Sequence, residues 1–573
     1  MKNSRWWIPK AWFLFIMMMA WTGLTGQVAR YDVVISEIMA DPTPAIGLPA
    51  AEYVELHNRT DSACLLVGCT LQLGNTVKAL PAISIEGDGY AIVVAEKYRE
   101  EFSDLGIDLY TLSSLSITDG GQRLTLFSQR GEVMHSVAFR KQWHKDGIKQ
   151  DGGWSLEMID ERQPWLDEEG WASSVDPSGG TPGRANSHSP LPPDLDPPEL
   201  TRVTMTDSQT LRIWFSEPIS DKHPFTTDIF KVSPAMAISS VKEVPPTFQA
   251  LDLRLAATPH SGQTYHIEIC GELCDCSHNL IPLGTGIPWG TSHHPDQNDL
   301  VINEILTHPF DGCDADFVEL YNRSSHIIDL KDVKIGSGGD MLPDKAVVAL
   351  SSGMQVMPGA YAVLCKNRKT TLQQYHCPTP HALVQCDSLP AYANASGVVF
   401  VTDYGLQVVD RFAYTEEMHY SKLLSSEGVS LERLDPHWPT QDNDNWHSAA
   451  ESVGFATPGY ANSQRGSDLE DSELSVMPEI FSPDNDGYDD FTFIRLQLPE
   501  PENRVSIQIF DLNGNAICHL ANNMLCGTEA QFRWDGEDDR KRQVPSGLYV
   551  VDVRWRRSDK RPGHKRKVVA VNN

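Results

Sequence analysis

Four aspartates near the C-terminus are the residues of this sequence whose types and spacing best suit metal binding. Carboxylates spaced around a glycine turn can direct their oxygens at one Ca²⁺ ion, which takes six to eight oxygen ligands. An EF-hand is excluded, because Arg495 stands at the twelfth position counted from Asp484, where that loop needs a glutamate. The alternative is a solvated Asx-turn loop without metal. The four candidates are Asp484, Asp486, Asp489 and Asp490.

Two pairs of glutamates recur at matching places in the chain, Glu37 with Glu304 and Glu55 with Glu319. Paired carboxylates can act as acid and base. These residues alternate with apolar ones in predicted strands, so we favour a structural role, either on a solvent face or capping a loop. The sequence contains no zinc-protease, nucleophile-elbow, phosphate-loop or dinucleotide-binding motif. We therefore expect no catalytic residues.

A basic segment near the C-terminus, residues 554–567, breaks an otherwise acidic pattern. It predicts either a solvated hairpin turning at Pro562-Gly563 or a site for an anionic partner such as lipopolysaccharide. The candidate residues for an anionic ligand are Arg554, Arg556, Arg557, Lys565, Arg566 and Lys567.

Eleven cysteines make disulfides a further possibility, since an exported protein can form them. Short-range bridges are predicted among close neighbours, with Cys64, Cys69, Cys518 and Cys526 as the main candidates. Connectivity cannot be read from a single sequence, and the odd count leaves at least one thiol free or paired with another chain.

Tryptophans near the end of the first third could stack on sugars. Trp171 has a counterpart, Trp446, at the spacing of an internal repeat, which favours the core for both. Trp143 and Trp165 lack counterparts and are the better ligand candidates, although packing is the simpler interpretation.

The elements that must position these residues are organised by a duplication. The strings 32–42 and 299–309, 52–60 and 316–324, 153–157 and 428–432, and 181–187 and 457–463 match in order, at offsets between 264 and 276. Collinear matches of this kind predict two copies of one module.

Within each copy, short β-branched runs alternate with polar residues and are punctuated by Gly, Asp, Asn and Pro. This pattern predicts an all-β fold of tandem Ig-like β-sandwiches. The phrases SEIMADP, EYVELHN and TPGRAN, with their counterparts in the second copy, resemble the lamin-tail domain family, an Ig-like sandwich that occurs in exported bacterial proteins. The resemblance covers residues 27–187 and 299–463.

Between the copies, a Pro-rich linker at 188–196 leads into strand-like phrases. LRIWFSEPI and the stretch from Gly262 to Asn279 resemble the bacterial Ig-like domain of S-layer-type proteins, over residues 197–288.

After an acidic linker at 464–475 come the phrases FSPDNDGYDDF, IFDLNGN, WDG and PSGLYVVDV. They resemble the gliding-motility-type and flagellar-hook-cap-type Ig-like C-terminal domains of Bacteroidetes. The resemblance implies that residues 476–573 form a sorting domain for type IX secretion, with the secretion machinery as a partner.

The N-terminus predicts export as well. Residues 1–26 combine a basic start with an apolar run of about 11 residues, as in a signal peptide, and the alternative is a membrane anchor. The net charge of −30 disfavours nucleic-acid binding.

These features predict a non-catalytic surface or secreted protein that binds an unknown protein or glycan, with Ca²⁺ as the one conceivable cofactor. Two alternatives remain, a degenerate secreted hydrolase of the nuclease or phosphoesterase type and a pure spacer. A cluster of three or more His, Asp or Glu side chains in a pocket outside residues 484–490 would favour the hydrolase.

Overall fold

The computed structural model describes residues 28–386, 388–467, 469–557 and 562–572, so the predicted signal peptide lies outside it. Nearly all regular structure is β, and the sheets pair face to face as tandem Ig-like β-sandwiches, as the alternating sequence predicts. No helix in these ranges is long and apolar enough to cross a membrane.

The first module pairs a six-stranded sheet, ordered β12-β11-β1-β2-β7-β8, with a four-stranded sheet, ordered β10-β9-β4-β5. Its elements are β1 (Val33–Met39), β2 (Tyr53–Asn58), β3 (Cys64–Leu65), β4 (Thr70–Leu73), β5 (Thr76–Ala79), β6 (Ser84–Ile85), β7 (Tyr90–Ala95), α1 (Arg99–Ser103), β8 (Leu109–Leu112), β9 (Gly121–Phe127), β10 (Val133–Arg140), β11 (Leu156–Met158) and β12 (Trp171–Ser173).

The second module is a smaller sandwich, with sheets ordered β13-β14-β17-β16 and β15-β18-β19. Its strands are β13 (Leu200–Asp207), β14 (Thr210–Phe215), β15 (Phe230–Ser233), β16 (Ile238–Glu243), β17 (Ala250–Leu255), β18 (Thr264–Ile269) and β19 (Gly286–Gly290).

The third module repeats the topology of the first, as the duplication predicts, with sheets ordered β27-β26-β21-β20-β30-β31 and β24-β23-β28-β29. Its elements are β20 (Leu300–Leu306), β21 (Phe317–Asn322), β22 (Ile328–Asp329), β23 (Val333–Ser337), β24 (Lys345–Val348), β25 (Gln355–Val356), β26 (Tyr361–Cys365), α2 (Arg368–Gln374), β27 (Leu383–Gln385), β28 (Ser396–Asp403), β29 (Val408–Thr415), β30 (Leu431–Arg433) and β31 (Trp446–Ser448).

The fourth module has sheets ordered β32-β34-β37 and β33-β39-β38-β35-β36. Its strands are β32 (Glu473–Met477), β33 (Ile480–Phe481), β34 (Thr492–Gln497), β35 (Asn503–Asp511), β36 (Ala516–Cys526), β37 (Glu529–Trp534), β38 (Gly547–Arg556) and β39 (Gly563–Val571).

Each module has its own hydrophobic core. The tryptophans show how well the internal repeat predicts which side chains are buried. Trp171 and Trp446 are core residues at 0% and 2% exposure, as predicted. Trp143 is also core, at 4% exposure, which confirms the packing interpretation and leaves its ring unavailable to a sugar. Trp165 is half-buried and its ring lies 6.0 Å from that of Tyr31.

Side chains cross the boundary between the first two modules. The Arg30 guanidinium, 5% exposed, donates to the Glu243 carboxylate at 3.1 Å and to the carbonyl of Ile219 at 2.9 Å. It also lies 4.2 Å from the centroid of the Phe248 ring. A buried guanidinium is stable only with partners of this kind, so the contact fixes the first module on the second.

The second and third modules are joined by an amide bridge. Gln355, 7% exposed, accepts from the Gly290 amide at 3.0 Å and donates to the Gly290 carbonyl at 2.7 Å. Nearby, the Thr204 hydroxyl donates to the buried carboxylate of Asp329. Through these two bonds, the Gln355 side chain pairs with the backbone of Gly290 as a neighbouring strand would.

The third and fourth modules meet backbone to backbone. The Thr528 amide donates to the Ser463 carbonyl at 3.2 Å, and the Leu525 amide donates to the Glu451 carboxylate at 3.2 Å. A Cβ atom on Gly527 would lie 1.8 Å from the Ser463 carbonyl oxygen, which is closer than atoms can approach. This interface therefore requires glycine at position 527.

We expect Gly527→Ala to separate the third and fourth modules without unfolding either, because the methyl group would occupy the space of the Ser463 carbonyl. Calorimetry should then show the unfolding of the fourth module as a separate transition, with faster proteolysis between 464 and 475. Gly547→Ala is the matched control, since a Cβ there meets nothing within 4 Å. Identical unfolding profiles for the two variants would contradict the prediction.

Candidate functional site

Three glutamates lie side by side on the six-stranded sheet of the first module. Glu37 of β1 is in register with Glu157 of β11 on one side and with Glu55 of β2 on the other. A bulge between Ile35 and Glu37 interrupts the pairing there. All three glutamates have 0% exposure, so the prediction of a solvent face is wrong. We call them the first glutamate triad.

The first glutamate triad caps the loop that closes the module, as the loop-capping interpretation predicts. The backbone amides of Thr181, Gly183 and Ser187 each donate to a different member, at 2.8, 2.7 and 2.7 Å. Hydroxyl donors add to these bonds, among them Ser155 to Glu37 at 2.5 Å. A buried carboxylate is tolerated only with such partners, so the triad and the loop require each other.

The third module contains the same arrangement, built from Glu304, Glu319 and Glu432, which we call the second glutamate triad. The amides of Thr457, Gly459 and Ser463 donate to its members at 2.8, 2.6 and 3.0 Å. Its bulge lies between Ile302 and Glu304, the position equivalent to that in the first module. The repetition identifies both triads as parts of the fold.

Like charges on directly opposed strand positions repel, and burial adds a desolvation cost. Burial raises the pKa of Glu37 to about 7, and the neighbouring Glu157 adds to the rise. Burial likewise raises the pKa of Glu304 to about 8, with Glu432 as the second cause. The second oxygen of Glu37 has no hydrogen-bond partner among the described residues. Burial raises the pKa of Glu55 well above its usual range as well, with the charge of Glu37 as the second cause.

The predicted calcium loop brings three of its four aspartates together. Ligand atoms of Asp484, Asp486 and Asp490 lie within 4.8 Å of one another. The Gly487 amide donates to one Asp490 oxygen at 3.0 Å, and the other oxygen is buried without a partner among the described residues. Asp489 is not part of this group; its backbone carbonyl accepts from the Ser482 amide at 2.8 Å.

A second carboxylate group escaped the sequence analysis. Asp194 of the Pro-rich linker, Glu217 and Asp275 also bring ligand atoms within 4.8 Å of one another. Burial raises the pKa of Glu217 to about 7, and the charges of Asp194 and Asp275 contribute. Asn279 donates to both oxygens of Asp275. The three residues are up to 81 positions apart, and no sequence pattern links them.

The basic segment forms the paired strands β38 and β39, and Gly563 of the predicted turn is instead the first residue of β39, in register with Trp555. The carboxylate of Asp552, 1% exposed, accepts from Arg554 at 2.8 Å and lies 2.5 Å from Arg566. Among the other candidates, Arg556 donates to Asn523, Arg557 to Glu500 and Lys565 to the Ser472 carbonyl, while Lys567 is exposed. Several of these charges therefore have partners within the fold.

All eleven cysteines are described, and none is in a disulfide. Cys518 and Cys526 stand near opposite ends of β36, about 25 Å apart along a strand, whereas bridged Cα atoms are about 4.4–6.8 Å apart. The prediction of a disulfide between Cys518 and Cys526 is therefore wrong. Cys64 and Cys69 are separate thiols, and Cys64 donates to the side-chain oxygen of Asn58 at 3.3 Å.

Two families match parts of the chain. The Lamin Tail Domain matches residues 27–141, and the CHU_C Type IX secretion signal domain matches residues 475–568. These matches identify the chain as an exported protein of the cell surface or the extracellular space, with an export module at its C-terminus. No curated protein matches the sequence.

Several solved structures are similar at low identity. The N-terminal part of the bacterial S-layer protein SbsC is 13% identical over 38% of this chain and 43% of that one, with a TM-score of 0.17. PorZ of Porphyromonas gingivalis, a surface component of the type IX secretion system, is 12% identical over 91% and 74%, with a TM-score of 0.16. A DUF4876 family protein of Bacteroides thetaiotaomicron is 11% identical over 46% and 98%, with a TM-score of 0.20. The chain spans about half the length of the S-layer structures that it matches.

The stability of the first module should depend on the proton at Glu37. Because the pKa rises from 4.5 to about 7 on folding, the native state binds more protons between these values, and stability should fall as the pH rises through this window. Glu37→Gln keeps the shape and removes the charge, so it should reduce that loss by on the order of 1–3 kcal/mol in denaturant unfolding. Exposed Glu86→Gln is the control, and equal pH slopes for Glu37→Gln and the unmodified protein would contradict the assignment.

We expect the loop at 484–490 to bind Ca²⁺. Titration of the full chain with Ca²⁺ should release or absorb heat and raise the melting temperature of the fourth module. Asp490→Asn should remove the part of both signals that comes from this loop. Asp511→Asn is the control, since Asp511 lies in an exposed turn of the same module. Equal signals from the two variants, or none from the unmodified chain, would refute the loop as a calcium site.

Proposed function

We propose that this chain is a non-catalytic surface protein that presents its loops on a fixed arrangement of sandwiches, and that its C-terminal module directs export and anchoring. The observation that carries the proposal is the continuity of contacts between modules. Arg30, Gln355 and Gly527 each lie at one of the three boundaries, in contacts that a flexible tether would not need. Fixed neighbours hold loops at constant positions, as binding through loops requires.

The internal geometry also argues against the hydrolase alternative. The glutamates that could act as acid and base are buried at 0% exposure and engaged by the closing loops. The cluster of Asp194, Glu217 and Asp275 contains three carboxylates, the number that the hydrolase alternative requires. However, Asn279 donates to both oxygens of Asp275, so one of the three carboxylates is already engaged within the fold.

The basic face of the fourth module remains our proposed contact for an anionic surface such as lipopolysaccharide. Arg554, Arg566 and His564 converge on the single carboxylate of Asp552, so cationic groups outnumber carboxylates at this point. Lys567 adds an exposed charge nearby. A pure spacer would need no such face.

Removal of residues 475–573 should retain the protein inside the cell, because the sorting signal would be lost. The measurement is immunodetection of the chain on intact cells and in the medium. A chain that lacks residues 27–187 but keeps the C-terminal module should still be exported, which controls for loss of any one sandwich. Export of the C-terminally truncated chain at the normal level would defeat the proposal.

A further inference from the structure

An open cleft of about 410 Å³ lies on the third module, beside the start of the linker to the fourth. Tyr321 of β21 and Tyr361 of β26 are paired across its floor, with ring centroids 5.1 Å apart and planes at 46°. Arg465 belongs to its wall and is exposed. Among the described residues, neither tyrosine hydroxyl has a hydrogen-bond partner and the Arg465 guanidinium has no ion pair. We call this the tyrosine cleft.

The equivalent place in the first module is filled by a carboxylate. His57 is in register with Tyr90, as Tyr321 is with Tyr361, and the two rings are stacked at 4.3 Å. The Tyr90 hydroxyl donates to a Glu161 oxygen at 3.0 Å, and His57 Nδ1 lies 3.0 Å from the same oxygen. Glu161 thus closes the first copy of the cleft from within.

The third module has lost that internal carboxylate. Asp160 accepts from the amide of Arg162 at 3.0 Å, and Asp435 accepts from the amide of His437 at 2.7 Å, so the two turns contain the same hydrogen bond at equivalent positions. The residue after the aspartate is Glu161 in the first copy and Pro436 in the second. Proline has no side-chain carboxylate, so the Tyr361 hydroxyl lacks the acceptor that the Tyr90 hydroxyl has.

A cation has been added at the same place. Two residues after Ser187 of the first closing loop stands Ser189, whereas two residues after the equivalent Ser463 stands Arg465. Arg465 is held in position, because its amide donates to the Asn462 carbonyl at 3.3 Å and its carbonyl accepts from Thr528 of the fourth module at 2.9 Å. Of the two arginines in the lining, Arg433 is buried and pairs with Asp410, so Arg465 is the exposed one.

We propose that the tyrosine cleft binds an acidic sugar of the uronic acid class. The ligand carboxylate takes the place that Glu161 fills in the first module, accepting from Tyr361 and pairing with Arg465. The sugar ring packs its C–H face on the tyrosine rings, which combine an apolar body with a polar end. The volume lies within the range of about 300–1,000 Å³ typical of small-molecule sites.

The test is saturation-transfer NMR and calorimetry on the full chain with glucuronate, glucose and acetate as probes. Glucuronate should bind saturably and more tightly than either glucose, which lacks the carboxylate, or acetate, which lacks the ring. Equal binding of glucose and glucuronate would overturn the carboxylate assignment. Equal binding of acetate and glucuronate would overturn the sugar assignment, and no saturable binding of glucuronate would overturn both.

Variants locate the binding within the chain. Arg465→Ala and Tyr361→Phe should each weaken glucuronate binding about tenfold or more, because each removes a donor to a charged group. Arg540→Ala, an exposed arginine of the fourth module, is the control and should bind as the unmodified chain does. If all three variants bind equally, the cleft is not the site.

A second variant blocks the cleft instead of weakening it. Tyr321→His with Pro436→Glu rebuilds the closure seen in the first module and should abolish binding while the circular dichroism and melting temperature stay unchanged. Undiminished binding by this double variant would also overturn the proposal. The readouts are independent of localisation, so failure here leaves the export proposal untouched, and the reverse also holds.

Discussion

The fold of the first and third modules depends on one interaction, the capture of three backbone amides of the closing loop by three buried glutamates. Strand β1 is buried along its whole length, and the outer sheet face beside the closing loop is covered by a small cluster that includes Phe102 of α1. Without the loop, the carboxylates would be exposed charges in adjacent registers; without the carboxylates, the loop amides would be buried and unpaired. The cost of burying acid groups is offset by hydrogen bonds and by the retained proton.

Compensating differences between the copies show how tightly the region around each triad is packed. In the first module the Tyr53 hydroxyl donates to Glu37 at 2.8 Å, and a Cβ on Gly180 would lie 2.5 Å from that hydroxyl. In the third module phenylalanine replaces the tyrosine at 317, and alanine replaces the glycine at 456. Loss of the hydroxyl makes room for the methyl group, and the Thr457 hydroxyl lies 3.0 Å from Glu304 and 2.9 Å from Glu432, so it can donate to one of the two. The alanine at 456 therefore depends on the phenylalanine at 317.

The sequence was informative where a pattern is local or repeated and silent where residues meet across long separations. Alternation and turn residues predict the strands, and the duplicated phrases identify Trp171 and the glutamates as parts of the fold. Absence of a counterpart did not imply exposure, since Trp143 packs in a core that differs in detail between copies. Cysteine proximity in sequence failed at Cys518 and Cys526 because an intervening strand is extended. The group around Asp275 could not be foreseen, because a linker, a strand end and a loop each supply one carboxylate.

Duplication of a fold with such strict internal requirements restricts where the copies can diverge. The triads and closing loops must be kept. New chemistry can therefore arise only at neighbouring positions that do not hold the closing loop, such as Glu161 and Pro436. Arg465 follows the same logic, because it comes directly after Gln464, whose amide is the last to donate to the second triad. The acidic linker begins as a fixed segment, held by Glu432 on one side and by Thr528 of the next module on the other. Docking of the fourth module therefore holds the exposed Arg465 in position.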